Sequence, residues 1–97
     1  MSARLDWIGA TASIGAAALQ KLALALRFEA RELAVTFDLV RSVADLEVAV
    51  REPSGHVWRA TWALSRATVE NVVSANALAD ALAEEFASEL RRNGLKS

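Results

Sequence analysis

The apolar positions begin with a helical period, pass to strict alternation, and return to a helical period. Leu5, Ile8, Ala12, Ala16 and Leu19 fall on one face of a helix; Trp7, Ile14 and Ala18 fall on a second, nearly opposite face. This spacing predicts a helix over residues 5–19 that is apolar on two sides. Alternation then runs through Leu22, Leu24, Leu26 and Phe28, and again through Leu33, Val35, Phe37 and Leu39, with small or polar residues between. It resumes in Leu46, Val48 and Val50, and in Trp58, Ala60, Trp62 and Leu64. From Val69 onward a helical stripe returns: Val72, Ala75, Leu78, Ala79, Leu82, Phe86 and Leu90 share one half of the circumference.

The sharpest local signal is Pro53-Ser54-Gly55. Proline pre-sets φ for a turn and glycine accepts the left-handed conformation that closes a three-residue hairpin loop. That loop sets Val50 opposite Trp58, Val48 opposite Ala60 and Leu46 opposite Trp62, and brings Glu47 diagonal to Arg59. A one-residue slip would mix the two faces of the sheet. Extending backwards, a connection through Arg41–Ala44 predicts Leu39 opposite Leu46 and Phe37 opposite Val48. A turn at Glu29–Glu32 predicts Phe28 opposite Leu33. A competing pattern covers residues 16–34, whose Ala, Leu, Arg and Glu content favours helix, and Leu19, Leu22, Leu26, Leu33, Phe37 and Val40 approximate a helical stripe. The fold expected is α+β: an N-terminal helix, a four-stranded antiparallel meander, and a long C-terminal amphipathic helix packed on one sheet face. Ser65 or Thr68 starts that last helix, and Arg91-Arg92-Asn93-Gly94 ends it. The whole chain, 1–97, reads as one domain.

Composition narrows the function. Of 97 residues, 54% are apolar and 24% charged, which suits a folded chain with a modest core. The net charge of −1 argues against a nucleic-acid binder, whose affinity rests on neutralising phosphates. With no cysteine there is no disulfide framework and no thiolate site, a composition that fits the cytoplasm. The uncharged run Trp7–Gln20 is too short to cross a hydrocarbon layer of roughly 30 Å as a helix, so no membrane span is expected. Read as a signal peptide it has Arg4 in front and Ala16–Ala18 near a cleavage site, but Asp6 and the interspersed Gly, Thr and Ser oppose that.

Candidate chemistry is sparse. His56, the single histidine, stands beside Ser54 in one tight turn with no orienting acid, so no nucleophile–base pair forms. Glu84 and Glu85 are adjacent on a helix and diverge; no metal site is expected. Gly9 and Gly15 match no phosphate-loop spacing, and no cofactor is expected. Trp58 and Trp62 share a face with Leu64 and Val50 and read as core. An enzyme would require a hydrophobic pocket between sheet and helix holding Asp38 or Asp45.

The run Leu24-Ala25-Leu26-Arg27-Phe28-Glu29-Ala30, followed by strands and by the helix VVSANALADALAEEFASEL, resembles the ABC-transport auxiliary lipoproteins over about residues 22–92. The resemblance implies an accessory domain of a transport or secretion system, although the family's lipid-bearing cysteine has no counterpart here.

The expected function is a non-catalytic protein-binding or assembly module whose partner is a protein, first of all a second copy of the chain. The interface candidates are Trp7, Ile14 and Ala18 on the second face of the N-terminal helix, so that Trp7→Ser or Ile14→Glu would weaken association in a folded domain. Further surfaces are the edge strands at residues 22–28 and 56–64 and a sheet face bearing Ala23, Ala25, Ala34 and Ala49.

Overall fold

The computed structural model describes residues 3–26 and 30–95. Helix α1 spans Ala3–Leu26, and strands β1 (Ala30–Asp38), β2 (Val43–Arg51) and β3 (Val57–Ser65) form one antiparallel sheet in the order β1-β2-β3. A short helix α2 (Arg66–Glu70) leads to α3 (Ala75–Arg92). Among the described residues the sheet therefore has three strands, not four. The segment expected to be the first strand continues the N-terminal helix to Leu26, seven residues past the end expected at Leu19. Phe28 and Glu29, part of the expected first hairpin, lie outside the described residues.

The reason is visible in the spacing. Trp7, Thr11, Ile14, Ala18, Leu22 and Leu26 are all buried and recur at three- and four-residue intervals. Leu22 and Leu26 satisfy alternation and helical spacing equally, while Leu24, which only a strand would bury with them, is 78% exposed. Residues 16–26 are strong helix formers, and the segment after them has no glycine, proline or asparagine to turn a hairpin.

The β2–β3 hairpin has the expected register, with Leu46 opposite Trp62, Val48 opposite Ala60 and Val50 opposite Trp58. Its loop closes through Glu52 N–H donating to His56 O (2.9 Å) and Gly55 N–H to Glu52 O (2.8 Å), with Gly55 at φ +96°. Glu47 meets Arg59 at 3.2 Å on the exposed face. The β1–β2 register differs from expectation: Phe37 lies opposite Ala44 and Val35 opposite Leu46. Asp38 sets it. Its Oδ1 accepts from the backbone N–H of Val40 (3.1 Å) and of Arg41 (3.0 Å), and Ser42 takes a positive φ of 56°, so the chain turns over Leu39–Ser42. The change of partner is by an even number of residues, so Leu33, Val35 and Phe37 keep the core face.

The expected long C-terminal helix is two helices. Ser65 caps α2, its Oγ accepting from Thr68 N at 3.2 Å, and Ser74 caps α3 through Ala77 N at 3.2 Å. Between them Asn71 turns its side-chain amide back to Ala67 O at 2.8 Å, and Val72 and Val73 are poor helix formers. A second capping serine behind such a stretch ends one helix and starts the next. At its far end α3 closes with Gly94 N–H donating to Arg91 O and Leu95 N–H to Leu90 O, both 3.0 Å, a six-to-one and five-to-two pair around a left-handed glycine.

Helices α1 and α3 lie side by side on one face of the sheet, α1 over β1 and β2, α3 against β3. Leu46, Val48, Val50, Leu82, Phe86 and Leu90 fill the space between layers. At Gly15 a Cβ would stand 3.0 Å from Leu33 Cδ2 and 3.2 Å from Leu46 Cδ2, so glycine lets α1 settle closely on the sheet. Lys21 of α1 reaches Asp80 of α3 at 2.7 Å across the top of the layer. The opposite sheet face, bearing Glu32, Ala34, Thr36, Asp45, Arg59 and Thr61, has no layer over it among the described residues.

Thr11 is fully buried, and its hydroxyl has no hydrogen-bond partner among the described residues. A buried, unmatched hydroxyl carries a desolvation cost of about 1–3 kcal/mol. Thr11→Val, nearly isosteric, should therefore raise the unfolding free energy by about 1 kcal/mol. Urea denaturation would register this as a higher midpoint with an unchanged slope; an unchanged midpoint would mean the hydroxyl is satisfied by water or by its own helix.

Candidate functional site

His56 is exposed at the hairpin tip, its ring 4.3 Å from the ring of Trp58 at a tilt of 58°. Ser54 Oγ donates to Glu52 Oε2 at 3.4 Å, a contact within the turn that leaves the histidine unengaged. Among the described residues no three His, Asp or Glu side chains converge as metal ligands. Asp38 is occupied in its own turn and Asp45 is exposed on the open sheet face. Trp58 is half-buried beneath Gly94, while Trp62, expected in the core, is 39% exposed at the margin of the sheet.

The three residues expected at an interface sit inside the chain's own core. Trp7 is 1% exposed, Ile14 3% and Ala18 0%. Trp7 packs edge-on against Phe37 of β1, ring centroids 5.4 Å apart and planes at 84°. The side of α1 left outward is the other one: Ile8, Leu19 and Ala23 are half-buried, Ala12 and Ala16 exposed. Leu5 belongs to the same expected face, but its side chain lies outside the described residues.

The two margins of the sheet differ. On β3, Thr61 N–H donates to Glu89 Oε2 at 3.2 Å and Arg59 O accepts from Asn93 Nδ2 at 3.1 Å, so side chains of α3 and its cap occupy outward-pointing backbone groups. Those contacts also fix the parity of the ladder. Odd-numbered residues of β3 point away from β2, so even-numbered pairs such as Val48 and Ala60 exchange hydrogen bonds. Odd-numbered residues of β2 then bond to β1, where their partners are even-numbered. The outward backbone groups of β1 belong to Arg31, Leu33, Val35 and Phe37. None has a hydrogen-bond partner among the described residues.

An edge of nine residues with no proline, no lysine and unbroken pairing on its inner side keeps few of the usual devices against strand addition, its charges being confined to Arg31, Glu32 and Asp38 near the two ends. The same four residues turn their side chains to the core face, where Leu33, Val35 and Phe37 remain half-exposed. Above them a groove of about 440 Å³ is lined by Ala16, Leu19, Gln20, Ala23 and Arg31, which sets the outward side of α1 over the β1 margin. Two other open grooves are smaller. One of about 230 Å³ at the hairpin end is lined by Arg31, Glu32, Arg51 and Arg59; another of about 280 Å³ between α1 and α3 is lined by Ala10, Ile14, Ala17, Val72 and Ala75. Neither Asp38 nor Asp45 lines any of the three.

Over Trp7–Leu26, α1 is also long and apolar enough to cross a membrane, by length and composition alone. Its extension to Leu26 overturns the argument that the segment is too short.

No family model matches the chain, and neither the curated proteins nor the solved structures contain a significant match to it. The resemblance to ABC-transport auxiliary lipoproteins rested on a strand around Leu24–Ala30; Leu24–Leu26 are helical instead, and residues 27–29 lie outside the described residues.

The β1 edge was not among the sequence-derived candidates because a preceding strand was expected to cover it. The signal that could have exposed it was the turnless stretch Glu29–Glu32, which cannot close a hairpin in front of β1.

Proposed function

We infer that the chain is a non-catalytic protein-binding module that assembles with copies of itself. The observation that carries this is the contrast between the two sheet margins, β3 engaged by Glu89 and Asn93 and β1 with its outward hydrogen-bonding groups unengaged among the described residues. Unpaired edges of this length bind other strands readily, because the backbone supplies the affinity and alternate side chains the specificity. Mass by light scattering across a concentration series tests it: association above the monomer mass of 10.4 kDa is expected, and a monomer at every concentration would overturn it.

A second reading, an accessory domain working at a membrane, draws on the length and apolarity of α1. It requires α1 to leave its place on the sheet and break the Lys21–Asp80 contact. Co-sedimentation with lipid vesicles and loss of the native near-ultraviolet tryptophan signal would favour it; a chain that stays in the supernatant with its tertiary signal intact would count against it.

A further inference from the structure

The geometry points to the form of that assembly: a two-fold dimer in which β1 pairs antiparallel with β1 of a second copy, centred on Ala34. This rests on the self-association reading and specifies its surface and register. The three strands of each copy then join into one continuous six-stranded sheet.

Parity and charge select the register. Residues opposite one another must both point outward or both inward, so the two-fold must set a residue opposite itself. Centring on Ala34 pairs Leu33 with Val35 of the second copy, Arg31 with Phe37, Glu32 with Thr36 and Ala30 with Asp38, so all nine strand residues find partners. No like charges face each other. Centring on Val35 would set Glu32 against Asp38 of the copy, and centring on Leu33 would leave Phe37 beyond the start of the partner strand. In the chosen register the four outward residues form hydrogen-bonded pairs, roughly eight bonds at two per pair. The half-exposed Leu33 and Val35 cover one another and extend the core across the two-fold.

The second layer fits as well. A two-fold axis perpendicular to the sheet keeps both α1 helices on the same face, antiparallel, with the side bearing Ile8, Ala12, Ala16, Leu19 and Ala23 turned toward its counterpart. Alanine-rich faces let helices approach to about 8–10 Å. The strip is roughly 30 Å long for nine extended residues and two layers deep, with a least molecular extent of 20 Å. That gives an area on the order of 600 Å² per partner, at the low end of stable interfaces. The dimer should therefore be concentration-dependent, not obligate.

Ala34 lies on the open face and is exposed, so substitutions there leave the monomer fold intact. Three measurements follow. Light scattering on the parent chain should show a monomer–dimer equilibrium. Ala34→Lys, which opposes two ammonium groups at the two-fold, should raise the dissociation constant about tenfold, and mixing Ala34→Lys with Ala34→Glu should restore association as a heterodimer. Ala34→Cys, in a chain with no other cysteine, should crosslink to a covalent dimer under mild oxidation, whereas Glu32→Cys should crosslink only when mixed with Thr36→Cys. A parent chain that is monomeric throughout overturns both the dimer and the self-association reading. A parent dimer indifferent to Ala34→Lys, with no crosslink through Cys at 34, overturns this interface alone and moves assembly to another surface.

Discussion

Trp7→Ser will unfold this chain or leave it at the margin of stability, and its effect on assembly will follow from that loss. Trp7 is 1% exposed and contributes the largest fully buried side chain. Truncating a buried tryptophan costs about 3–5 kcal/mol in transfer and cavity terms. The indole N–H has no partner among the described residues, so no hydrogen bond is lost with it. Serine adds a hydroxyl in the apolar site beside Phe37, a further cost of about 1–3 kcal/mol. Against a total stability of roughly 5–15 kcal/mol for a domain of this size, the sum removes about a quarter of the margin at least and can remove all of it. Ile14→Glu acts in the same direction more strongly, because a carboxylate would be buried without a partner. Urea titration followed by circular dichroism should find Trp7→Ser at a much lower midpoint than the parent, with Leu24→Ser, at a 78% exposed position, within about 0.5 kcal/mol of it. A Trp7→Ser chain with the parent's midpoint would mean that α1 does not hold its place on the sheet, and would return that face to the interface candidates.

The sequence read α1 the wrong way round for a physical reason. Its two stripes differ little in apolarity over residues 5–19, because alanine populates both and alanine gives a weak burial signal. Leu22 and Leu26 decide between them, since both extend the Trp7 stripe. Ending the helix at Leu19 assigned those leucines to a strand and removed their vote. The β2–β3 hairpin was legible to the residue because Pro53 and Gly55 fix a loop of one length, and loop length fixes register. The β1–β2 turn rests on one carboxylate, Asp38, accepting from two backbone N–H groups, a signal that looks like any surface aspartate until the strands are placed. The break before α3 was written in Ser74, but a serine inside an otherwise continuous stripe reads equally as a solvated helix position. The candidate site was the least legible part. An exposed edge is a property of topology, and one extra strand in the expected order was enough to hide it.

Gly94→Ala should lower stability by about 2–3 kcal/mol, a large effect for the addition of one methyl group near the end of a chain. Two costs combine. Gly94 holds φ +113°, where a side chain strains the backbone by about 1–2 kcal/mol. A Cβ there would also stand 3.0 Å from Trp58 Cη2 and 3.2 Å from its Cζ3, so the indole must move. That ring is half-buried on the core face of β3, with its N–H enclosed and without a partner among the described residues, and has little room to yield without disturbing the packing under α3. The same glycine lets Leu95 fold back, bonding to Leu90 O and burying its side chain to 4% exposure, so a displaced cap also loosens the last turn of α3. Gly94→Asn separates the two costs. Asparagine tolerates the left-handed region better than alanine but carries the same Cβ. If Gly94→Asn unfolds with the parent's urea midpoint, the ring accommodates the contact and backbone strain accounts for the alanine effect. If both variants fall together, the close approach of the cap to Trp58 is what glycine is needed for.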